Sequence, residues 1–171
     1  MPNRANETAG KAASKRNPVE KGSQDLLGVF QTLAEQHDQV AAMFEQLRGQ
    51  PESRAILWPQ LRRELVSHEH SEVRELYPVL RQFEELRALA DHHDDEAREL
   101  DSMIARLDKL DVQTDAWSEL FDQLVETVTQ HAKDEEEAKI FPTAQRVIGE
   151  PRALELDAKV LATKQQLMES H

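Results

Sequence analysis

Apolar residues recur along the chain in stripes whose members are alternately three and four positions apart. The first stripe consists of Leu26, Phe30, Leu33, His37, Val40, Phe44 and Leu47. Such spacing places side chains on one face of an α-helix. We therefore predict a first helix from about Ser23 to Arg48, ended by Gly49, with His37 on its buried face.

Three further stripes have this spacing, and each also contains one histidine. The helices that they predict begin at Pro51, near Phe83, and at Asp115, which is the expected cap of the fourth helix. The stripes are Leu57, Leu61, Leu65, His68, Glu72, Leu76 and Val79; Leu86, Ala90, His93, Ala97, Leu100, Ile104 and Leu107; and Leu120, Leu124, Val128, His131, Glu135 and Ala138. Because the connections are short, the pattern predicts an all-α, antiparallel up-down-up-down four-helix bundle over residues 23–149.

The two ends of the chain have a different character. Residues 1–22 are rich in Asn, Ala, Ser, Gly, Lys and Arg, with too little apolar surface to offset the entropy of ordering. We expect a disordered basic tail there. Residues 150–171 are amphipathic and predict a short fifth helix, from about Arg152 to Met168, packed on the bundle.

Composition excludes several functional classes. Cysteine is absent, which rules out disulfides, thiolate metal sites and cysteine nucleophiles. The formal net charge of −12 argues against a nucleic-acid partner, because phosphate contacts need a basic surface. No apolar run approaches the roughly 18 to 20 residues that span a bilayer. With no signal-peptide pattern, we expect a cytoplasmic protein without a membrane partner.

A short motif occurs twice. His68 stands four residues before Glu72, and His131 stands four before Glu135. An aliphatic-aromatic-proline triplet follows each motif, ending at Pro78 and at Pro142 respectively. Positions four apart share one face of a helix. A histidine nitrogen and a carboxylate so placed can bind one metal site from the same side.

The stripes together predict a buried metal centre. A single histidine on an apolar stripe is more often a core residue than a ligand, but six buried polar groups without partners would cost several kcal/mol each. Imidazole and carboxylate without thiolate suit iron, manganese or zinc. Six ligands suit two metals about 3.5 to 4 Å apart better than one tetrahedral zinc. The predicted ligands are His37, His68, Glu72, His93, His131 and Glu135, with the two glutamates as bridges.

Two positions have a competing neighbour. His93 fits the spacing of its stripe, whereas His92 would point about 100° away. In an α-helix Glu135 lies within about 40° of His131, whereas Glu136 lies about 140° away. Counting back from the prolines favours Glu136 instead. Pro142 lies eleven residues after His131, whereas Pro78 lies ten residues after His68. We favour His93 and Glu135.

These residues resemble the hemerythrin family, in its bacterial branch of HHE cation-binding domains. The likeness covers about residues 24–148 and rests on His37, His68 with Glu72 and Leu76-Tyr77-Pro78, the His92-His93 pair, and His131 with Glu135 and Ile140-Phe141-Pro142. The resemblance implies a four-helix bundle with a non-haem di-iron centre, in which carboxylates and an oxo or hydroxo group bridge two iron ions.

The chain departs from the animal oxygen carriers of that family. Those carriers have a second histidine one turn before the ligand of the third helix, where this chain has Leu89. Their last helix uses a carboxylate five residues after the histidine, which would here be Glu136. One histidine fewer favours oxygen or peroxide chemistry over simple oxygen carriage.

The resemblance implies a protein that binds or senses O2 or a related small oxidant such as peroxide or nitric oxide. Leu33, Phe44, Leu65, Leu89 and Leu100 would exclude bulk water from the site. Two alternatives are a di-iron enzyme that consumes peroxide or nitric oxide and an iron-responsive interaction module. The apolar stripes contain no proton donor dedicated to catalysis, which weakens the enzyme interpretation.

Overall fold

The computed structural model describes residues 25–170, and all regular structure within this range is helical. The α-helices are α1 (Val29–Gly49), α2 (Arg54–Ser71), α3 (Tyr77–Leu80), α4 (Glu84–Leu107), α5 (Asp115–Thr129), α6 (Phe141–Ile148) and α7 (Glu150–Ser170). A 3-10 turn (Pro51–Ser53) precedes α2. π-helical segments join α2 to α3 (Glu72–Leu76) and α5 to α6 (Gln130–Ile140) without a break.

The bundle therefore has four helices, namely α1, α2 with α3, α4, and α5 with α6, and α7 is added outside it. The predicted four-helix bundle and fifth helix are confirmed, although α7 is 21 residues long rather than short. The disordered tail expected for residues 1–22 lies outside the described residues.

Two separate apolar clusters hold the bundle together. The α7 cluster contains Leu26, Val29, Phe30, Leu33, Ala34, Leu76, Tyr77, Leu80, Leu86, Ala90, Ile140, Phe141, Ala144, Ala153, Leu156 and Val160. The tryptophan cluster contains Val40, Phe44, Leu47, Trp58, Leu61, Leu65, Val66, Leu100, Met103, Ile104, Leu107, Trp117, Leu120, Phe121, Leu124 and Val125. Successive bundle helices enter the two clusters in opposite order, as an antiparallel up-down-up-down topology requires.

The first helix begins later than the sequence predicts. It starts at Val29 rather than Ser23, because Gly28 has a φ of 55° that interrupts the helix. A Cβ on Gly28 would lie 2.8 Å from the carbonyl of Ala153, so the missing side chain also lets the backbone approach α7 closely. In the fourth bundle helix, Thr114 rather than Asp115 is the cap, and its hydroxyl accepts the N–H of Trp117 at 3.2 Å.

The fifth helix packs against α1, α2 and the first π-helical segment. Its apolar residues enter the α7 cluster, and two polar contacts fix its far half. The Thr163 hydroxyl donates to Glu75 at 2.7 Å, and the Lys164 ammonium lies 2.8 Å from Glu64. None of the helices within residues 25–170 is long and apolar enough to cross a membrane.

Candidate metal centre

A belt of polar side chains separates the two apolar clusters. Each bundle helix contributes to it at the point where the helix passes from one cluster to the other. The belt consists of Gln36, His37, His68, Glu69, Glu72, His93, His131 and Glu136. All are buried except His131, whose side chain is 12% exposed. Burial of this many ionisable groups at one level of a bundle is expensive unless they share a partner.

The second bundle helix supplies three of these groups. Glu69 Oε1 lies 3.1 Å and Glu72 Oε2 lies 3.5 Å from Nε2 of His93. Nε2 of His68 lies 3.5 Å from the same oxygen of Glu72. Glu72 is therefore placed between a histidine of its own helix and a histidine of α4.

Two histidines are oriented by partners on their outer side. Nδ1 of His37 lies 2.8 Å from Oε1 of Glu137, and Nδ1 of His68 lies 2.8 Å from Oε1 of Gln36. Since both oxygens accept, each Nδ1 carries the proton and each Nε2 presents its lone pair to the belt. Orientation of this kind is typical of histidines that bind metals.

The structure places Glu136 rather than Glu135 in the belt. The segment Gln130–Ile140 is π-helical, with hydrogen bonds between residues five apart, so a residue five positions along is turned back toward the same face. Glu136 is fully buried in contact with Nε2 of His131, while Glu135 is 24% exposed and faces His92 outside the belt. The extra residue before Pro142 is accommodated by the π-helical turns. The backbone carbonyls of Glu72 and Glu136 both accept from the residue five positions later, Tyr77 and Phe141 respectively.

Of the two neighbouring histidines on α4, the belt contains His93 and not His92. His93 is completely buried in the belt, whereas the side chain of His92 is 61% exposed. His37, His68, Glu72, His93 and His131 are thus brought together as the stripes predict, and Glu135 is not. Leu89 is 37% exposed and does not shield the belt, unlike Leu33, Phe44, Leu65 and Leu100.

Many nitrogen and oxygen atoms of the belt that could bind a metal have no hydrogen-bond partner. They include both oxygens of Glu72, Nδ1 of His93 and Nε2 of His37. His131 and Glu136 instead contact each other as an ion pair. Buried polar atoms are normally paired, so an unpaired cluster of nitrogen and carboxylate oxygen needs a cation. The ligating atoms form two groups, Glu69 with Glu72, His93 and His131, and His37 with His68 and Glu72. Residues and spacing therefore fit a metal centre.

Burial and mutual contacts shift the protonation of the belt. Burial raises the pKa of Glu69 to about 8 and that of Glu72 well above its usual value, and the charge of Glu136 adds to both shifts. Burial lowers the pKa of His68 well below normal and that of His93 to about 4. Burial opposes protonation of His131, but the charge of Glu136 overcomes it and raises the pKa to about 12.

Two ionisable residues of the belt, Glu69 and Glu136, and one residue beside it, Tyr77, are absent from the predicted ligands. Glu136 was rejected because α-helical geometry turns it away from His131. Glu69 precedes the stripe position of Glu72 by three residues, and only its place beside His68 in the motif could have drawn attention to it. Tyr77 stacks on the ring of His93 with centroids 3.5 Å apart, and its buried hydroxyl has no hydrogen-bond partner. The repeated aromatic-proline triplet was the available signal for Tyr77.

A cavity of about 90 Å³ opens beside the belt on the side of the tryptophan cluster. His37, His68, Glu69 and His131 form its polar end. Apolar side chains form most of its remaining wall, among them Val40, Phe44, Leu65, Leu100 and Val128. Its volume exceeds that of a single water molecule several-fold. The cavity therefore has room for a small ligand next to the belt.

The comparisons with known proteins agree with this geometry. The sequence model of the family described as hemerythrin HHE cation binding domain matches residues 29–144, which include every belt residue. No curated protein and no solved structure matches the chain.

Proposed function

Since the chain belongs to the hemerythrin family of HHE cation-binding domains, we propose that it is a non-haem di-iron protein that binds or senses O2 or a related small oxidant. Cation binding is the property of the family, and iron is its usual metal. The observation that carries the proposal is the set of unpaired nitrogen and carboxylate atoms in the belt. A pair of cations would give a partner to the carboxylate oxygens and to the Nε2 atoms that face the belt.

We propose His37, His68, Glu72, His93, His131 and Glu136 as the residues that hold the metal, with Glu69 as a further carboxylate. Two metals are favoured over one because the belt contains two groups of ligating atoms. Glu72 belongs to both groups, so its two oxygens are suited to bridge two ions. Donor chemistry agrees with iron, since imidazole and carboxylate are its ligands in oxygen-handling proteins.

The cavity supports a small, weakly polar ligand. Its lining is largely apolar, and the ionisable residues in it are the belt residues at its polar end together with Glu96, Glu99 and Lys133. When bound, ferrous iron would supply the electrons for such an oxidant. The protein would contribute orientation of the ligating imidazoles through Gln36 and Glu137 and a dry approach to the centre.

A second candidate function is the consumption of peroxide or nitric oxide by the same centre. The observation that favours it is the buried hydroxyl of Tyr77 beside Glu72 and Glu136. Burial raises the pKa of Tyr77 well above its usual value, so the phenol keeps its proton and can donate it. Reduction of peroxide needs such a donor, whereas reversible binding does not.

Metal analysis with absorption spectroscopy tests the first proposal. Protein purified after expression with iron should contain about two irons per chain. When oxidised, it should show near-ultraviolet absorption that shifts on addition of azide. Zinc alone, or no metal, would refute both candidate functions. Reversible bleaching on removal of O2 would favour binding over catalysis.

The Tyr77→Phe variant separates the two candidates. If the protein consumes peroxide, loss of the phenol proton should slow turnover by about a hundredfold while the iron content is unchanged. Equal turnover by the variant and the wild type would exclude Tyr77 as the donor. Absence of peroxide or nitric oxide consumption in the wild type would leave binding or sensing as the function.

A further inference from the structure

A second group of potential ligands lies outside the belt. His92 on α4 has Nε2 3.4 Å from Oε1 of Glu96 and 4.0 Å from Oε2 of Glu135. One ligating atom from each of these three residues lies within 4.8 Å of the others. Glu96 and Glu135 are partly buried, and His92 is 61% exposed. We call His92, Glu96 and Glu135 the outer cluster.

The outer cluster follows from the geometry of the belt. His92 and Glu135 each precede a belt residue, His93 and Glu136, by one position. Neighbouring residues in a helix point about 100° apart, so both are turned out of the interior. On two adjacent antiparallel helices this turn brings both side chains to the same groove. His92 and Glu135, which lie outside the belt, therefore come close to each other at the surface.

Glu96 connects this cluster to the belt. Its Oε1 faces His92, while its Oε2 lies 2.8 Å from Nδ1 of His131. The opposite nitrogen of the same ring, Nε2, contacts Glu136 in the belt. One imidazole ring therefore separates the outer cluster from the buried donor atoms. Glu96 and His131 also line the cavity beside the belt.

We propose that the outer cluster is a surface site for a divalent cation, through which Fe2+ reaches the buried centre. The role in delivery rests on the di-iron function proposed above. One imidazole and two carboxylates are suitable ligands for Fe2+ or Mn2+, and a bound cation relieves the repulsion between two adjacent carboxylates. Because the cluster is open to solvent on the side of His92, water completes the coordination and binding is weaker than in the belt.

The overall charge supports this role. A net charge of −12 raises the concentration of cations around the protein, and a carboxylate pair at a groove focuses that field. The carboxylates of the belt itself are fully buried and cannot attract a hydrated ion directly. The outer cluster is partly exposed, and its Glu96 also contacts His131 of the belt. Its ligands can therefore replace water molecules around an incoming ion before the ion reaches the belt.

Manganese binding tests the site itself. Iron-loaded protein is titrated with Mn2+, and bound Mn2+ is counted from the loss of the free-ion electron paramagnetic resonance signal. We expect the double variant His92→Ala/Glu135→Gln to bind one weak equivalent fewer than the wild type. The control His70→Ala removes another half-exposed imidazole, 3.1 Å from Asp101, that has no contact with the belt. It should bind Mn2+ as the wild type does. Unchanged binding by the double variant would overturn the proposal.

The rate of iron loading tests delivery. Metal-depleted protein is mixed with Fe2+ without oxygen, and filling of the belt is followed by the absorption that appears on later oxidation. The double variant should fill about tenfold more slowly than the wild type and the His70→Ala control, yet reach the same final iron content. Equal rates would refute the delivery role. If the belt takes up no iron in any of the three proteins, the di-iron function fails, and the same comparison of manganese counts, made on the metal-free proteins, still decides whether the outer site exists.

Discussion

Nε2 of His131 contacts a carboxylate oxygen of Glu136, five residues further along the chain. In an α-helix these two side chains would point about 140° apart. The π-helical segment Gln130–Ile140 removes that angle and brings both to the belt. The second bundle helix reaches the same result with His68 and Glu72, four residues apart, because its π-helical turns begin only at Glu72.

This contact predicts opposite results for two neighbouring glutamates. Glu136→Gln removes a buried carboxylate from the belt, so the iron content and the near-ultraviolet absorption should fall sharply. Glu135→Gln should retain the full equilibrium iron content, because Glu135 lies outside the belt. Metal analysis of both variants after identical loading measures the difference. Loss of iron in Glu135→Gln with retention in Glu136→Gln would show that the fourth bundle helix uses the other register in the loaded protein.

Glu69 is expected to compensate for the absent second histidine of α4. The position where that histidine would stand is Leu89, whose side chain is exposed, whereas Glu69 lies 3.1 Å from His93. Glu69→Gln should weaken metal binding by about tenfold or more. The control Glu99→Gln changes a carboxylate of the cavity wall whose side chain is outside the belt, and it should bind as the wild type does. Equal metal affinity of Glu69→Gln and wild type would exclude Glu69 as a ligand.

Metal loading should release protons. At pH 7 the metal-free belt holds protons on His131, with a pKa of about 12, and on Glu69, with a pKa of about 8, and burial also raises the pKa of Glu72. His68 and His93 have lowered pKa values and are already neutral. Metal binding must displace the bound protons, so loading should release at least those of His131 and Glu69.

The sign of the resulting pH dependence follows directly. Raising the pH removes the competing protons, so metal affinity should increase with pH, and the contribution of Glu69 should level off above about pH 8. Calorimetric titration with Mn2+ in two buffers of different ionisation enthalpy gives the number of protons. An affinity that does not change between pH 6 and 8 would contradict the protonation of the metal-free belt described above.

A pair of glycines tests the attachment of α7. Gly28→Ala places a Cβ 2.8 Å from the backbone of Ala153 and forces a positive φ on an L-residue. We expect it to lower the free energy of unfolding by about 2 kcal/mol. Gly49→Ala meets no atom within 4 Å and should be neutral or stabilising by up to about 1 kcal/mol. Chemical denaturation of both variants measures the effect, and equal stabilities would show that the close approach to α7 is dispensable.

The sequence predicts the bundle well because each stripe has an unbroken period near 3.6 over most of its length. His37, His68, Glu72, His93 and His131 are all assigned to the interior for this reason, and the structure places them there. Glu136 is missed because the period changes to that of a π-helix within the motif itself. Gly28 shows the corresponding problem at a helix end, since a contact with α7, more than a hundred residues away, decides where α1 begins.

Glu69 of the belt and Tyr77 beside the belt could not be predicted from periodicity at all. Glu69 and Tyr77 occupy positions beside the apolar stripe of the second bundle helix, and they reach the interior because the helices are spaced by polar side chains at this level. The width of a bundle interior depends on the side chains of all four helices together. The apolar stripe of one helix indicates only which side of that helix faces the interior.

The belt interrupts the apolar packing of the bundle, because it lies between the α7 cluster and the tryptophan cluster. Each cluster has its own aromatic and aliphatic packing, so the belt itself contributes few apolar contacts between the helices. Local opening at the belt therefore requires less free energy than global unfolding, because global unfolding must disrupt both apolar clusters. If metal occupies the belt as proposed, its ligands on all four bundle helices would connect those helices at the level where the apolar packing is interrupted.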